Sequence, residues 1–178
     1  MIKRIFLFLS VVFLSAFAKA QIQRNFDGIV LGKATKNEIV NYTNKIGLYP
    51  YEKYGGKTIQ AIGDISFGGA IWNKTTYYLY NGILYKIVYT RCCGHQVGAM
   101  RELDNFYYRL RNRLLKKYTH NKLPSSNAVI PNNLFIKGKN TTVEIKRKYS
   151  DNSGYYVKLI YTDIELNKKA KMKADNDL

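Results

Sequence analysis

Thr75-Thr76-Tyr77-Tyr78-Leu79-Tyr80, then Asn81-Gly82, then Ile83-Leu84-Tyr85-Lys86-Ile87-Val88-Tyr89-Thr90 is the stretch on which the fold turns. Both runs are rich in β-branched and aromatic residues, which suit a pleated, half-buried surface. The pair between them fits a two-residue type I′ turn, because Asn and Gly tolerate the left-handed backbone at both central positions. Such a turn sets a register. It places Tyr80 opposite Ile83, Tyr78 opposite Tyr85 and Thr76 opposite Ile87 on one side of the sheet. Leu79 then faces Leu84, Tyr77 faces Lys86 and Thr75 faces Val88 on the other. Both sides carry large side chains, so one is expected under a helix and the other as a tyrosine-rich surface.

Downstream, Ala99, Leu103, Phe106, Tyr107, Leu110, Leu114 and Tyr118 recur every three or four residues and predict an amphipathic helix over 98–118. Its other face carries Glu102 and Asp104 early and Arg109, Arg113, Lys116 and Lys117 late, an order that complements the helix dipole. Upstream, Thr35 and Glu38 have capping-box spacing, with Ile39, Thr43 and Ile46 following and Gly47 at the expected stop. A short helix over 36–46 follows, then a loop over 50–57 and a strand over 59–67. Further strands are expected at 134–137, 142–149 and 155–162, with a loop over 121–133.

Lys86-Ile87-Val88-Tyr89-Thr90 matches Lys158-Leu159-Ile160-Tyr161-Thr162, and Thr75-Thr76 matches Thr141-Thr142. Each match falls at the same place in a helix-then-three-strands run. The expectation is an α+β chain of two αβββ repeats, 21–94 and 95–162, with antiparallel sheets and the helices packed on one face. Residues 163–178, with Lys168, Lys169, Lys171 and Lys173, read as a basic flexible tail or a frayed helix.

Residues 1–20 have the form of an export signal. Lys3 and Arg4 precede an apolar region of 14 residues, Ile5–Ala18, and Ala18-Lys19-Ala20 offers a cleavage site after Ala20. The apolar run is shorter than the ~20 residues a bilayer span needs. Three of the 29 basic residues and none of the 12 acidic ones lie in this segment, so the charge falls only from +17 to +14 on cleavage. In an exported chain such a charge points to an envelope or extracellular protein, an anionic glycan or a lipid surface, and away from nucleic acid. A coding bias towards Lys, Asn and Tyr explains the same excess without any partner.

Gly28-Ile29-Val30-Leu31-Gly32-Lys33-Ala34-Thr35-Lys36-Asn37-Glu38-Ile39, running on to Gly47, resembles the opening of small outer-membrane assembly lipoproteins. A tandem version is similar to β-lactamase-inhibitor-protein-like domains, two helix-plus-sheet repeats that bind protein on a concave surface. The chain departs from both families: no lipidation cysteine follows the apolar run, and each repeat has one helix where those families tend to have two. The resemblance implies a periplasmic or secreted interaction module and carries no catalytic residue.

The chemistry-bearing residues are few. Arg91-Cys92-Cys93-Gly94-His95 is the one suggestive cluster. Adjacent cysteines hardly reach one tetrahedral zinc together, and only His120 remains as a further nitrogen ligand, so no metal is expected. Cys93 with His95 and Arg91 has the residue types of a thiol nucleophile but no accompanying oxyanion hole. A disulfide involving Cys92 and Cys93, or plain thiols ending a strand, is the preferred reading. Glu102 and Asp104 are two residues apart on a helix and do not face each other, which excludes a paired-carboxylate hydrolase. The remaining signal is aromatic. Trp72, Tyr77, Tyr78, Tyr80, Tyr85 and Tyr89, with Tyr149, Tyr155, Tyr156 and Tyr161, crowd the strands. Ordinary strand filling accounts for any one of them, but so small a domain cannot bury all. The expectation is a non-enzymatic, cofactor-free binding protein. Its surface joins Trp72, Tyr77, Tyr78, Tyr80, Tyr85, Lys86 and Tyr89 on the sheet, with Arg109, Arg113 and Lys116 on the helix as an anion-binding alternative.

Overall fold

The computed structural model describes residues 21–94, 98–119, 132–150 and 154–176. The expected export signal, His95, His120, most of the 121–133 loop and the tip of the last hairpin lie outside them. The elements run β1 (Asn25–Phe26), β2 (Ile29–Val30), α1 (Lys36–Lys45), β3 (Pro50–Lys53), β4 (Thr58–Phe67), β5 (Ala70–Tyr80), β6 (Ile83–Gly94), α2 (Ala99–Tyr118), β7 (Asn133–Lys137), β8 (Thr141–Ser150), β9 (Gly154–Asp163) and α3 (Ile164–Asn176). The class is α+β, as expected.

Seven of the strands form one antiparallel sheet in the order β3-β4-β5-β6-β9-β8-β7. The two groups of strands are therefore joined edge to edge through β6 and β9. In that seam the two matching pentapeptides pair with each other, Lys86 with Thr162, Val88 with Ile160 and Thr90 with Lys158.

The β5–β6 turn forms at Asn81 and Gly82, with φ of +47° and +78°. Beyond it the register departs from expectation. Tyr80 pairs with Ile83 and Leu79 with Leu84, but Tyr78 then pairs with Lys86, Tyr77 with Ile87 and Thr76 with Val88. Tyr85 is the extra residue of a β-bulge. A bulge sets two residues against one, so Leu84 and Ile87 both reach the core although three positions separate them. Tyr85 and Lys86 are left half-buried on the opposite side.

The covered side of the sheet holds Ile59, Tyr77, Ile87, Tyr89, Tyr161, Leu159, Val157, Val143 and Ile145, under Leu103, Phe106, Tyr107, Leu110 and Leu114 of α2. Trp72 is fully buried among them, 5.2 Å from the Phe106 ring, with its indole N–H donated to the Phe67 carbonyl at 3.1 Å. Short α1 packs near β4 behind its capping box: Thr35 N–H donates to Glu38 Oε2 at 2.7 Å, and Glu38 N–H reaches back to Thr35 Oγ1.

Two elements were not expected. The 50–57 segment is an edge strand closed by a Tyr54-Gly55-Gly56 turn of positive φ. Pro50 is tolerated because it opens an edge strand, where its missing N–H costs nothing. Asp27-Gly28, also of positive φ, closes the small β1–β2 hairpin.

The last segment is helical over Ile164–Asn176. Asp163 caps it, accepting from the Leu166 N–H at 2.9 Å, and also takes Arg24 Nη2 at 2.6 Å. Arg24 spends its other N–H groups on the Leu31 and Asn140 carbonyls and on Thr141 Oγ1. Gly32 sits against this pair, where a β-carbon would meet the Arg24 guanidinium and stand 2.7 Å from Asp163 Oδ2. Ala170, Lys173 and Ala174 of α3 border a depression with Tyr78, Tyr80 and Tyr85. That places α3, the segment read as a tail or frayed helix, across one end of the side away from α2, while Ile39 of α1 joins the core cluster that α2 covers.

Candidate functional site

Burial and pairing along β5 and β6 separate the expected surface into three groups. Trp72, Tyr77 and Tyr89 are 0%, 2% and 4% exposed and belong to the core, so their inclusion in a binding surface is corrected. Tyr77 and Tyr89 face inward because the Tyr85 bulge keeps Ile87 and Tyr89 in step with Tyr77 and Leu79 on the side α2 covers, and Trp72 joins them beyond the register shift between Ile62 and Ile65 in the β4–β5 pairing. Tyr78, Tyr80, Tyr85 and Lys86 are half-buried on the other side. Arg109, Arg113 and Lys116 are exposed on α2, behind the sheet from that group. The ten residues do not make one site.

Cross-strand pairing shows what accompanies Tyr78 and Lys86 on the open side. One row runs Thr58, Tyr78, Lys86, Thr162, Thr142, and the next Gln60, Thr76, Val88, Ile160, Glu144. A third holds Lys74, Thr90, Lys158 and Lys146, and a fourth Cys92, Tyr156 and Lys148. Five lysines therefore share this side with Tyr78, Tyr85 and Tyr156. Glu144 is the only acid in these rows, and Lys146 holds it at 2.9 Å. Lys86 Nζ lies 4.2 Å from the Tyr78 ring centre and Lys158 Nζ 4.8 Å from that of Tyr156. A hollow of about 300 Å³ is lined by Gln60, Lys74, Thr76, Tyr78, Val88, Thr90, Cys92, Ser150, Tyr156 and Lys158.

Lys74, Lys146, Lys148, Lys158 and Tyr156 were not among the expected site residues. The signal for them is polar spacing of two, Lys74-x-Thr76-x-Tyr78, Lys146-x-Lys148 and Tyr156-x-Lys158, which becomes a surface only once β6 is paired with β9.

Burial, then the neighbouring Lys171 and Lys146, hold the Lys86 ammonium below the ordinary lysine range. Burial and then Lys74 do the same for Lys158. Lys158 also stands directly across from Lys146, and like charges so placed cost a sheet stability. Lys158→Met is expected to leave the fold as stable or to raise its stability by about 0.5 kcal/mol, while weakening any anionic contact. The sign with pH follows. The unfolded chain holds this proton more tightly than the folded one, so the charge costs stability at neutral pH and the cost fades as pH climbs towards 10.5. Urea titrations between pH 8 and 10.5 check this, because the variant flattens that rise.

Cys92 and Cys93 both carry free thiols. The disulfide expectation is corrected for a bond between the two. The α-carbons of neighbours across a trans peptide are about 3.8 Å apart, closer than a disulfide usually spans. Cys92 faces the open side, and Cys93 packs against the core. The Asn73 amide continues the ladder here, donating to the Cys92 carbonyl at 3.0 Å and accepting its N–H at 3.1 Å. Burial, ahead of the opposing influence of Lys74, pushes the Cys92 thiol above its usual range, unlike an activated nucleophile. Among the described residues no three His, Cys, Asp or Glu side chains group as metal ligands. Among them, too, no helix is long and apolar enough to cross a membrane.

Compared with known protein families, curated proteins and solved structures, the chain finds no match.

Proposed function

We propose that this is an exported, non-enzymatic binding protein of the cell envelope that holds an acidic partner protein on the open side of its sheet. The observation that carries the reading is the composition of that side: five lysines interleaved with three tyrosines, two of each lining a hollow, against one acid already engaged. Tyrosine brings large, rigid, polar-tipped contact area, and unpaired lysines favour an acidic counterpart. The export form of residues 1–20 supports an envelope location, and the likeness of 28–47 to envelope assembly lipoproteins points the same way. The pairing of the two like pentapeptides across β6 and β9 supports reading the chain as two αβββ halves. The Thr75-Thr76 and Thr141-Thr142 matches fall two residues out of step with it.

The test is capture from the native envelope fraction on immobilised Gln21–Leu178, washed in stepped salt, beside Tyr78→Ala, Lys74→Glu/Lys158→Glu and Lys116→Gln variants. The expected result is one acidic protein held above 0.3 M NaCl, a salt at which exposed charges are screened within roughly 6 Å. The two sheet variants lose it and Lys116→Gln keeps it. A mixed anionic eluate that leaves early and ignores the sheet variants overturns the reading in favour of bulk charge.

A further inference from the structure

A second cavity, about 410 Å³, opens on the other side of the molecule between α2 and the β4–β5 hairpin. Its volume suits a small organic ligand. Phe106, Arg109, Leu110 and Arg113 fall at helical spacing, so one stripe of α2 forms one wall. Ser66, Gly69, Ala70, Ile71 and Arg91 complete the lining.

The three arginines differ in how they are used. Arg91 is neutralised by Glu102 at 2.6 Å, and its guanidinium carbon stands over the Phe106 ring, 4.6 Å from its centre. Arg113 donates to the Gly69 carbonyl at 2.9 Å, a neutral partner that leaves its charge uncompensated. Gly69, at φ +68°, allows that approach, since a β-carbon there would stand 2.7 Å from Arg113 Nη1. Arg109 has neither hydrogen bond nor ion pair among the described residues. The cavity thus has an apolar floor of Phe106, Leu110 and the 56% exposed Ile71, and two uncompensated guanidinium charges at its rim.

We propose that this cavity binds a phosphate monoester with a small apolar or aromatic body. A monoester carries between −1.5 and −2 charges near pH 7, which matches two free guanidinium groups. Their planar forks suit phosphate oxygens, and the floor suits the ester's carbon skeleton. A carboxylate satisfies one arginine and leaves the other facing solvent.

The probe is phenyl phosphate, titrated by calorimetry against the exported chain, with inorganic phosphate and benzoate as comparisons. Phenyl phosphate is expected to bind about tenfold more tightly than either, and Arg109→Gln to lose about tenfold or more. Lys116→Gln, two turns along the same helix, is expected to bind as the parent does. Arg113 also holds the Gly68-Gly69 turn, so Arg109→Gln is the decisive variant, its fold checked by an unchanged melting temperature. Equal binding of all three anions, equal loss in Lys116→Gln, or no phenyl phosphate binding at millimolar concentration overturns the proposal. Flotation with vesicles containing phosphatidic acid separates the sources: retention competed by phenyl phosphate identifies a lipid headgroup, and its absence beside tight phenyl phosphate binding identifies a soluble monoester.

Discussion

Trp72→Ala is expected to destabilise the fold by about 4 kcal/mol, the usual cost of emptying an aromatic site in a packed core. Trp72 is fully buried, meets the Phe106 ring at 5.2 Å and the Tyr89 ring at 5.9 Å, and satisfies its N–H on the Phe67 carbonyl. Its removal loses the buried area, two aromatic contacts and a hydrogen bond, and frees the hairpin that α2 rests on. Urea denaturation gives the cost directly, and for a chain of this size the melting temperature should fall by roughly 10 °C. Partner capture at low temperature should persist in proportion to the folded fraction. Tyr78→Ala should do the opposite, keeping the fold and losing the partner. A stable Trp72→Ala chain that no longer binds would return Trp72 to the binding surface.

The second large effect belongs to Asp163, where one carboxylate serves two ends of the chain. It pairs with Arg24, which ties the N-terminal segment to the Leu31 carbonyl and to the β7–β8 turn, and it caps α3. Its side chain is 9% exposed and that of Arg24 is 24% exposed. Asp163→Ala therefore leaves a mostly buried guanidinium without its counter-charge and a helix without its first-turn acceptor. Losing a buried partner and an N-cap together is expected to cost about 3 kcal/mol, with part of the ion-pair contribution screened on the Arg24 side. Asp163→Asn keeps the cap's acceptor and loses the charge, so it should fall between. Amide exchange locates the damage: the amides of α3 and of β1–β2 should lose protection before those of β5 and β6. Uniform loss across the sheet would contradict this account.

What the chain discloses before folding is local. Asn81-Gly82, the Thr35–Glu38 box and the α2 stripe are each set by neighbours within a few residues, and each forms where expected. Asp27-Gly28 is the same kind of turn signal, flanked by Phe26 and Ile29, and was readable by the same rule. The Tyr85 bulge was not, because an ideal two-residue turn implies unbroken pairing, and only the packing of both Leu84 and Ile87 under α2 selects the extra residue. That one residue reassigns every side chain beyond it. Alternation alone already forbade Tyr77 and Tyr78 from sharing a face, so a single surface containing both was inconsistent from the start. Which of the two was buried required knowing where α2 lies. The lysine rows were hidden for a different reason. Lys74, Lys158 and Lys146 are far apart in sequence and become neighbours only through the β6–β9 seam, a pairing between distant strands that no turn specifies. Likewise α3 was polar enough to pass for a tail, and its helix rests on the Asp163 cap and its place against the sheet.

The most direct measurement is photo-crosslinking in the native envelope, with the reactive residue placed at Lys74 on the open side of the sheet and, separately, at Lys116 on the outer side of α2. The account predicts one discrete protein adduct from position 74, abolished by Lys158→Glu in the same chain, and none from position 116. Adducts from 116 alone, or none from 74 while the chain is folded and exported, would contradict it.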